Sequence, residues 1–188
     1  MSNTYLSLES CLATAKALHG DICAGLTIGT RMTIAGLKAI GIEDPQGKDR
    51  KKLIVFVEID RCATDAIMAI TGCRPGKRTM KIYDHGKMSA TFLNLETGKA
   101  VRLTVKEKEE GQDAAGENPY LTLPEEKLLA IEAVNVALPP QDMPGKPIRV
   151  VKCHACGERV MDMREEIVDG KTLCRPCARG TRFYTPID

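Results

Sequence analysis

Leu53-Ile54-Val55-Phe56-Val57-Glu58-Ile59, running straight into Asp60-Arg61-Cys62, is the stretch on which the fold turns. Six of its first seven residues are apolar, and most are β-branched or aromatic. That composition reads as a strand buried on both faces. Asp60 is placed to cap a helix over 61–71. A strand that feeds a helix puts their junction where open α/β arrangements bind ligands. Cys62 falls at that junction. A thiol at a helix N-terminus is a better metal ligand or nucleophile than a free cysteine. Asp65, one turn on, reads as a helix-start charge.

Towards the N-terminus, LSLESCLATAKAL at 6–18 predicts a helix with Ser7 as its N-cap and Glu9 in its first turn. A second helix is expected from Asp21 or Ile22 to Ile40, closed by Gly41. Its Ile22, Leu26, Ile28, Met32, Ala35 and Ala39 recur at helical spacing, and Ala24, Gly25, Gly29 and Gly36 form a small-residue stripe open to close approach. Residues 44–52 read as a polar loop.

Towards the C-terminus, strands are expected at 78–84, 88–95 and 99–105. Asp84-His85-Gly86-Lys87 and Glu96-Thr97-Gly98-Lys99 read as hairpin turns between them. His85 is expected in solvent. A solvated charged loop is expected over 106–119, a short helix from Pro124, and a last strand through Val134, Val136 and Leu138. Four prolines between Pro139 and Pro147 make a stiff, extended linker. The expected architecture is α+β: N-terminal helices packed on a mainly antiparallel sheet over 1–138, a linker over 139–148, and a small treble-clef or ribbon-like zinc-finger module over 149–188.

That last segment carries Cys153-His154-Ala155-Cys156 and Cys174-Arg175-Pro176-Cys177, separated by seventeen residues. The spacing is that of a four-thiolate zinc site. Cys153, Cys156, Cys174 and Cys177 would fill a tetrahedron and leave no open position, so the ion is structural. Forty residues bury too little surface to fold alone, and metal binding supplies the difference. Two disulfides, free thiols or an iron–sulfur cluster fit this spacing less well. His154 lies between two better ligands and is expected to point outward.

The other four cysteines are Cys11, Cys23, Cys62 and Cys73. His19 and Cys23 stand four apart, so one continuous helix would put them on one face. There they would bind a metal ion or pair as imidazolium and thiolate. A helix-end histidine beside a buried cysteine has the same spacing and is the commoner arrangement. Thr71-Gly72-Cys73-Arg74-Pro75-Gly76-Lys77-Arg78 is not a P-loop. Three residues rather than four separate its glycines, and Arg78 stands where a hydroxyl would hold magnesium. ATP or GTP hydrolysis is excluded on that ground.

Composition narrows the classes further. The 188 residues carry a net charge of +2, and the eight Lys+Arg and six Asp+Glu of 149–188 account for all of it. Neither part has the basic footprint of a nucleic-acid binder. Aromatics make up 4% and Trp is absent, which leaves little for base stacking. No run approaches the ~20 apolar residues of a membrane span. MSNTYLSLES lacks the basic and apolar regions of a signal peptide. A cytoplasmic protein without a membrane partner is expected, its cysteines serving metal or chemistry rather than disulfides.

His19-Gly20-Asp21-Ile22-Cys23-Ala24-Gly25, Gly29-Thr30-Arg31, the DRCATDAIMAITGCRPGK stretch at 60–77 and YDHGKMSATF at 83–92 resemble the FmdE family, which takes its name from formylmethanofuran dehydrogenase. The resemblance covers about 5–138, and the terminal CxxCGE…CRPC resembles the zinc finger that some members append. It implies an α+β fold, an intertwined homodimer, and a polar site at His19, Cys23, Cys62 and Cys73 with room for a second metal ion. The chain departs from the HGHxCPG of many relatives. Asp21 stands at the second histidine and Ala24 at the proline, which removes one potential ligand.

Three functions follow from these residues. One is a metal-binding accessory or regulatory protein, a homodimer whose zinc module contacts a protein partner. The second is an enzyme using Cys23 or Cys62 as thiolate or metal ligand. The third is a metal-sensing regulator that binds nucleic acid. Activity is left open by the sequence.

Overall fold

The computed structural model describes residues 6–106 and 118–187. The expected charged loop falls outside them, except at its ends. The described residues form an α+β arrangement. Helix α1 spans Leu8–His19, and Ser7 caps it by accepting the Ser10 N–H at 3.2 Å. Gly20, at φ +109°, ends it. Helix α2 spans Ala24–Ile40 and closes on Gly41 in the left-handed region. The two helices expected here are thus present and separate, and Cys23 is the N-cap of the second, so no continuous helix runs through His19 and Cys23.

Strand β1, Leu53–Val57, leads into helix α3, Cys62–Thr71. Arg61 rather than Asp60 is the N-cap, and no side chain caps this helix. The chain then returns through a crossover to β2, Met80–Ile82, which pairs with β1 in parallel. Strands β3 (Ser89–Asn94), β4 (Ala100–Val105) and β5 (Leu129–Ala133) are antiparallel, and the sheet order is β2-β1-β3-β4-β5. The turn at 96–99 joins β3 and β4 as expected. The turn at 84–87 is not a hairpin, because β2 and β3 flank β1 instead of each other. The chain crosses the end of β1, where Val57 O accepts the Tyr83 amide and Glu58 O accepts those of His85 and Lys87. The last strand of the sheet is Leu129–Ala133, not the alternating segment that follows it. A short helix, α4, Glu125–Leu128, precedes it.

Alternation in β1 sorts the two sheet faces. Leu53, Val55 and Val57 join Phe92, Leu103 and the α2 residues Ile28, Met32 and Ile40 in one buried cluster. Phe56, Thr91 and Arg102 are in register on the other face. Asn94 is buried and its amide donates to Ile40 O at 3.0 Å, tying the end of α2 to the sheet. Arg31, a charge inside the apolar α2, donates to the carbonyls of Tyr120 and Leu123. It thereby holds the segment that returns to β5.

The chain divides into two compact units, Met1–Ala137 and Leu138–Asp188. The second holds two antiparallel hairpins, β6 (Val150–Lys152) with β7 (Arg159–Met161) and β8 (Glu165–Val168) with β9 (Lys171–Cys174), then helix α5, Arg175–Arg179. Among the described residues no helix is long and apolar enough to cross a membrane.

Candidate metal centres

Three elements converge on the first centre: the C-terminus of α1, the N-cap of α2 and the first turn of α3. Small residues allow this. A Cβ on Gly29 would lie 2.5 Å from Ala63 Cα, and one on Gly25 would lie 3.1 Å from Cys62 Cβ. Without side chains there, α2 and α3 touch backbone to backbone, and Cys23 comes beside Cys62.

One donor atom from each of His19, Cys23 and Cys62 lies within 4.8 Å of the other two. Cys23 Sγ is 3.8 Å from His19 Nε2. A single zinc ion would hold such a pair about 3.6 Å apart, given its usual bond lengths and tetrahedral angle. His19 Nδ1 is 2.8 Å from Asp65 Oδ2. That contact commits Nδ1–H to the carboxylate and leaves Nε2 as the free lone pair, turned towards Cys23. Metal-binding histidines are commonly oriented by a carboxylate in this way. Asp21 Oδ1 is 3.9 Å from His19 Nε2 on a largely exposed side chain.

The electrostatics separate the two thiols. Burial pushes the Cys23 thiol up, but the Leu26 amide at 3.3 Å, Cys62 and His19 outweigh it and leave it below its ordinary value. Burial, then the neighbouring Cys23, push Cys62 up. Asp65 raises the His19 imidazole. The two thiols are thus unequal, Cys23 giving up its proton more readily than Cys62. Two thiolates and a neutral imidazole would offer an ion three ligands and leave one position open.

Cys73 is not part of this cluster. It is buried beneath β1, with its Sγ 3.9 Å from Leu53 O. Cys11 is also buried, in the core. Asp65 is the residue that sequence reading missed. It follows Cys62 by one turn but is 46 positions from His19, and no local pattern signals that pairing.

The second centre lies in the second unit. The sulfurs of Cys153, Cys156, Cys174 and Cys177 all lie within 4.8 Å of one another, and those of Cys156 and Cys174 are 3.9 Å apart. A disulfide needs ~2.05 Å, whereas four thiolates around one zinc ion sit ~3.8 Å apart. The residues fit zinc. The β6–β7 turn supplies the first two sulfurs, the end of β9 the third, and α5 the fourth. Backbone amides of Cys156 and Cys174 bring the Cys153 thiol down to about 6, which suits a ligand that must bind as thiolate. His154 is exposed, and its backbone amide donates to Thr172 O.

The fold and these two clusters define an α+β domain with a histidine–cysteine centre, followed by a C4-type zinc finger. The family described as "FmdE, Molybdenum formylmethanofuran dehydrogenase operon" matches residues 18–135, and the chain belongs to that family. Residues 147–181 match the prokaryotic dksA/traR C4-type zinc finger. A protein of Archaeoglobus fulgidus described as a probable S-adenosyl-L-methionine-binding protein is 29% identical over 94% of this chain. The chain spans 55% of that relative's length. An FmdE-like protein of Syntrophus aciditrophicus, assigned to a tungsten formylmethanofuran dehydrogenase, shares the fold, at 22% identity and a TM-score of 0.59 over 95% of both chains.

Proposed function

We propose that this chain is a metal-binding accessory or regulatory protein of the FmdE family. In this reading His19, Cys23 and Cys62 hold one metal ion in the core. Cys153, Cys156, Cys174 and Cys177 hold a structural zinc, and the zinc module contacts a protein partner or a second copy of the chain. The observation that carries it is the convergence of three donors from three helices, with Asp65 orienting the histidine. The closed four-sulfur centre has no position for a substrate, so its role is to shape a docking module. The modest +2 charge of 149–188 favours a protein over a nucleic acid as its partner.

Elemental analysis of purified protein tests this. Two metal ions per chain are expected. Cys62→Ser should leave one, and Cys174→Ser should remove the other. One zinc per chain in the unaltered protein, unchanged by Cys62→Ser, overturns the core centre.

A second reading makes the core ion catalytic. The open fourth position favours it, since catalytic zinc sites keep three protein ligands and one exchangeable position. Exchange of a water molecule on a cobalt-substituted core centre would support that reading, and a closed, inert spectrum would remove it.

A further inference from the structure

A cavity of about 660 Å³ lies on the sheet face that carries Phe56, Thr91 and Arg102, opposite the face packed by α2. Its walls are Tyr83, His85 and Lys87 on one side and residues 134–137 on the other. The volume is that of a small-molecule site. It shares no residue with either metal centre.

Two features distinguish it from ordinary surface. The first is a row of rings. Phe56 and Tyr83 have centroids 6.3 Å apart at 22°, and Tyr83 and His85 have centroids 6.4 Å apart at 28°. Three near-parallel rings in succession make a stacked aromatic row. The chain has no Trp and only seven Phe and Tyr, so gathering two of them with a histidine outside the core is a concentration. Tyr83 is half exposed, which core packing does not require.

The second feature is charge. Glu58 accepts from Arg102 Nε at 2.6 Å and Nη2 at 2.8 Å, and Thr104 takes Nη1 at 2.8 Å. That ion pair is neutral and rigid. Lys87 also lines the cavity; its charge acts on Glu58 without a hydrogen bond between them among the described residues, since Glu58 is bonded to Arg102. A stacked aromatic row beside a lining with two cations, Arg102 and Lys87, against one carboxylate, Glu58, matches a ligand that joins a planar ring to an anionic group.

We propose that this cavity binds a small planar aromatic anion, the class to which purine nucleoside monophosphates belong. The ring lies along Tyr83 and its neighbours, and the anionic group meets Lys87. The Glu58–Arg102 pair forms the polar floor. A pre-stacked row of rings loses little freedom on binding, because each ring has only two side-chain torsions to fix.

Isothermal titration of the full chain with AMP tests this, with adenosine and inorganic phosphate as separate arms. AMP is expected to bind at least tenfold more tightly than either part. Tyr83→Ala and Lys87→Ala should each weaken AMP about tenfold or more, while Tyr83→Phe, which keeps the ring, should stay close to the unaltered protein. Raised salt should weaken AMP in the unaltered protein and leave Lys87→Ala nearly insensitive. Absence of AMP binding at millimolar concentration overturns the proposal, as does equal affinity in Tyr83→Ala and Lys87→Ala to that of the unaltered protein. So does a chain whose self-association is abolished by Tyr83→Ala and unaffected by AMP, because a second copy would then cover this face. None of these readouts depends on the metal content of the core.

Discussion

His19 Nδ1 and Asp65 Oδ2 are 2.8 Å apart, joining the end of α1 to the first turn of α3 across 46 positions of sequence. The contact fixes which imidazole nitrogen faces Cys23. It is also the feature that separates a prepared ligand set from three polar residues that happen to be near. Asp65→Asn keeps the size of the side chain and removes its charge. We expect core metal affinity to fall about 10–100-fold, with zinc in the second unit unchanged. Competition against a chromogenic chelator measures both, and equal core affinity in the variant would show that Asp65 does not orient the ligand.

Cysteine accessibility gives a separate check. Cys11 and Cys73 are 2% and 3% exposed, whereas Cys23 and Cys62 are half-buried. Peptide-resolved alkylation should label Cys23 and Cys62 slowly in metal-loaded protein and faster after chelation, with Cys23 ahead of Cys62 because its thiol pKa lies lower. Cys11 and Cys73 should stay slow in both states. Fast labelling of Cys73 in the folded chain would contradict its position beneath β1.

How far these centres could be read from sequence depends on how local each one is. The four-cysteine centre is legible because each pair sits within one turn, so its spacing is set by the ion. Helices α1, α2 and α3 are legible from periodicity and end signals such as Ser7 and Gly41. The sheet order is not. Asp84-His85-Gly86-Lys87 has hairpin composition, yet β2 pairs with β1 in parallel through the α3 crossover, and only tertiary pairing decides between these. The apolar run at 53–59 hides that Phe56 and Glu58 line a cavity while Val55 and Val57 fill the core. Cys23 and Cys62 meet because Gly25 and Gly29 let two helices touch. The small-residue stripe announces a close approach without naming what approaches.

The Glu58–Arg102 pair carries a pH dependence. Arg102's hydrogen bonds hold the Glu58 carboxyl below its ordinary value, against its partial burial. A group whose folded pKa is depressed stabilises the fold fully above its unfolded pKa, ~4.3 for Glu, and loses that contribution as pH falls through the folded value. Glu58→Gln should therefore flatten the acid limb of the stability curve below about pH 4.3. Near neutral pH it should cost about 1.5–3 kcal/mol, the range for hydrogen bonds to a charged group. Urea unfolding of both proteins across that range measures it, and parallel curves would mean that the pair does not contribute.

Gly29 couples stability to the core centre. An alanine there would place Cβ 2.5 Å from Ala63 Cα and 2.6 Å from Ala63 O, and both obstacles are backbone. No rotamer change relieves that, so α2 and α3 must separate. Alanine ordinarily improves a helix interior by ~1 kcal/mol over glycine, but forced overpacking costs ~1–3 kcal/mol or more, and here the second effect wins. Ala63 adjoins Cys62, so the separation also moves that sulfur away from Cys23 and His19. Gly29→Ala should lower the urea midpoint and reduce core metal occupancy together, while zinc in the second unit stays bound. Gly76→Ala is the control, because a Cβ there meets nothing within 4 Å. If Gly29→Ala were as stable as the unaltered chain, the helices would have room to spare. The close contact could then not be what brings Cys23 and Cys62 together.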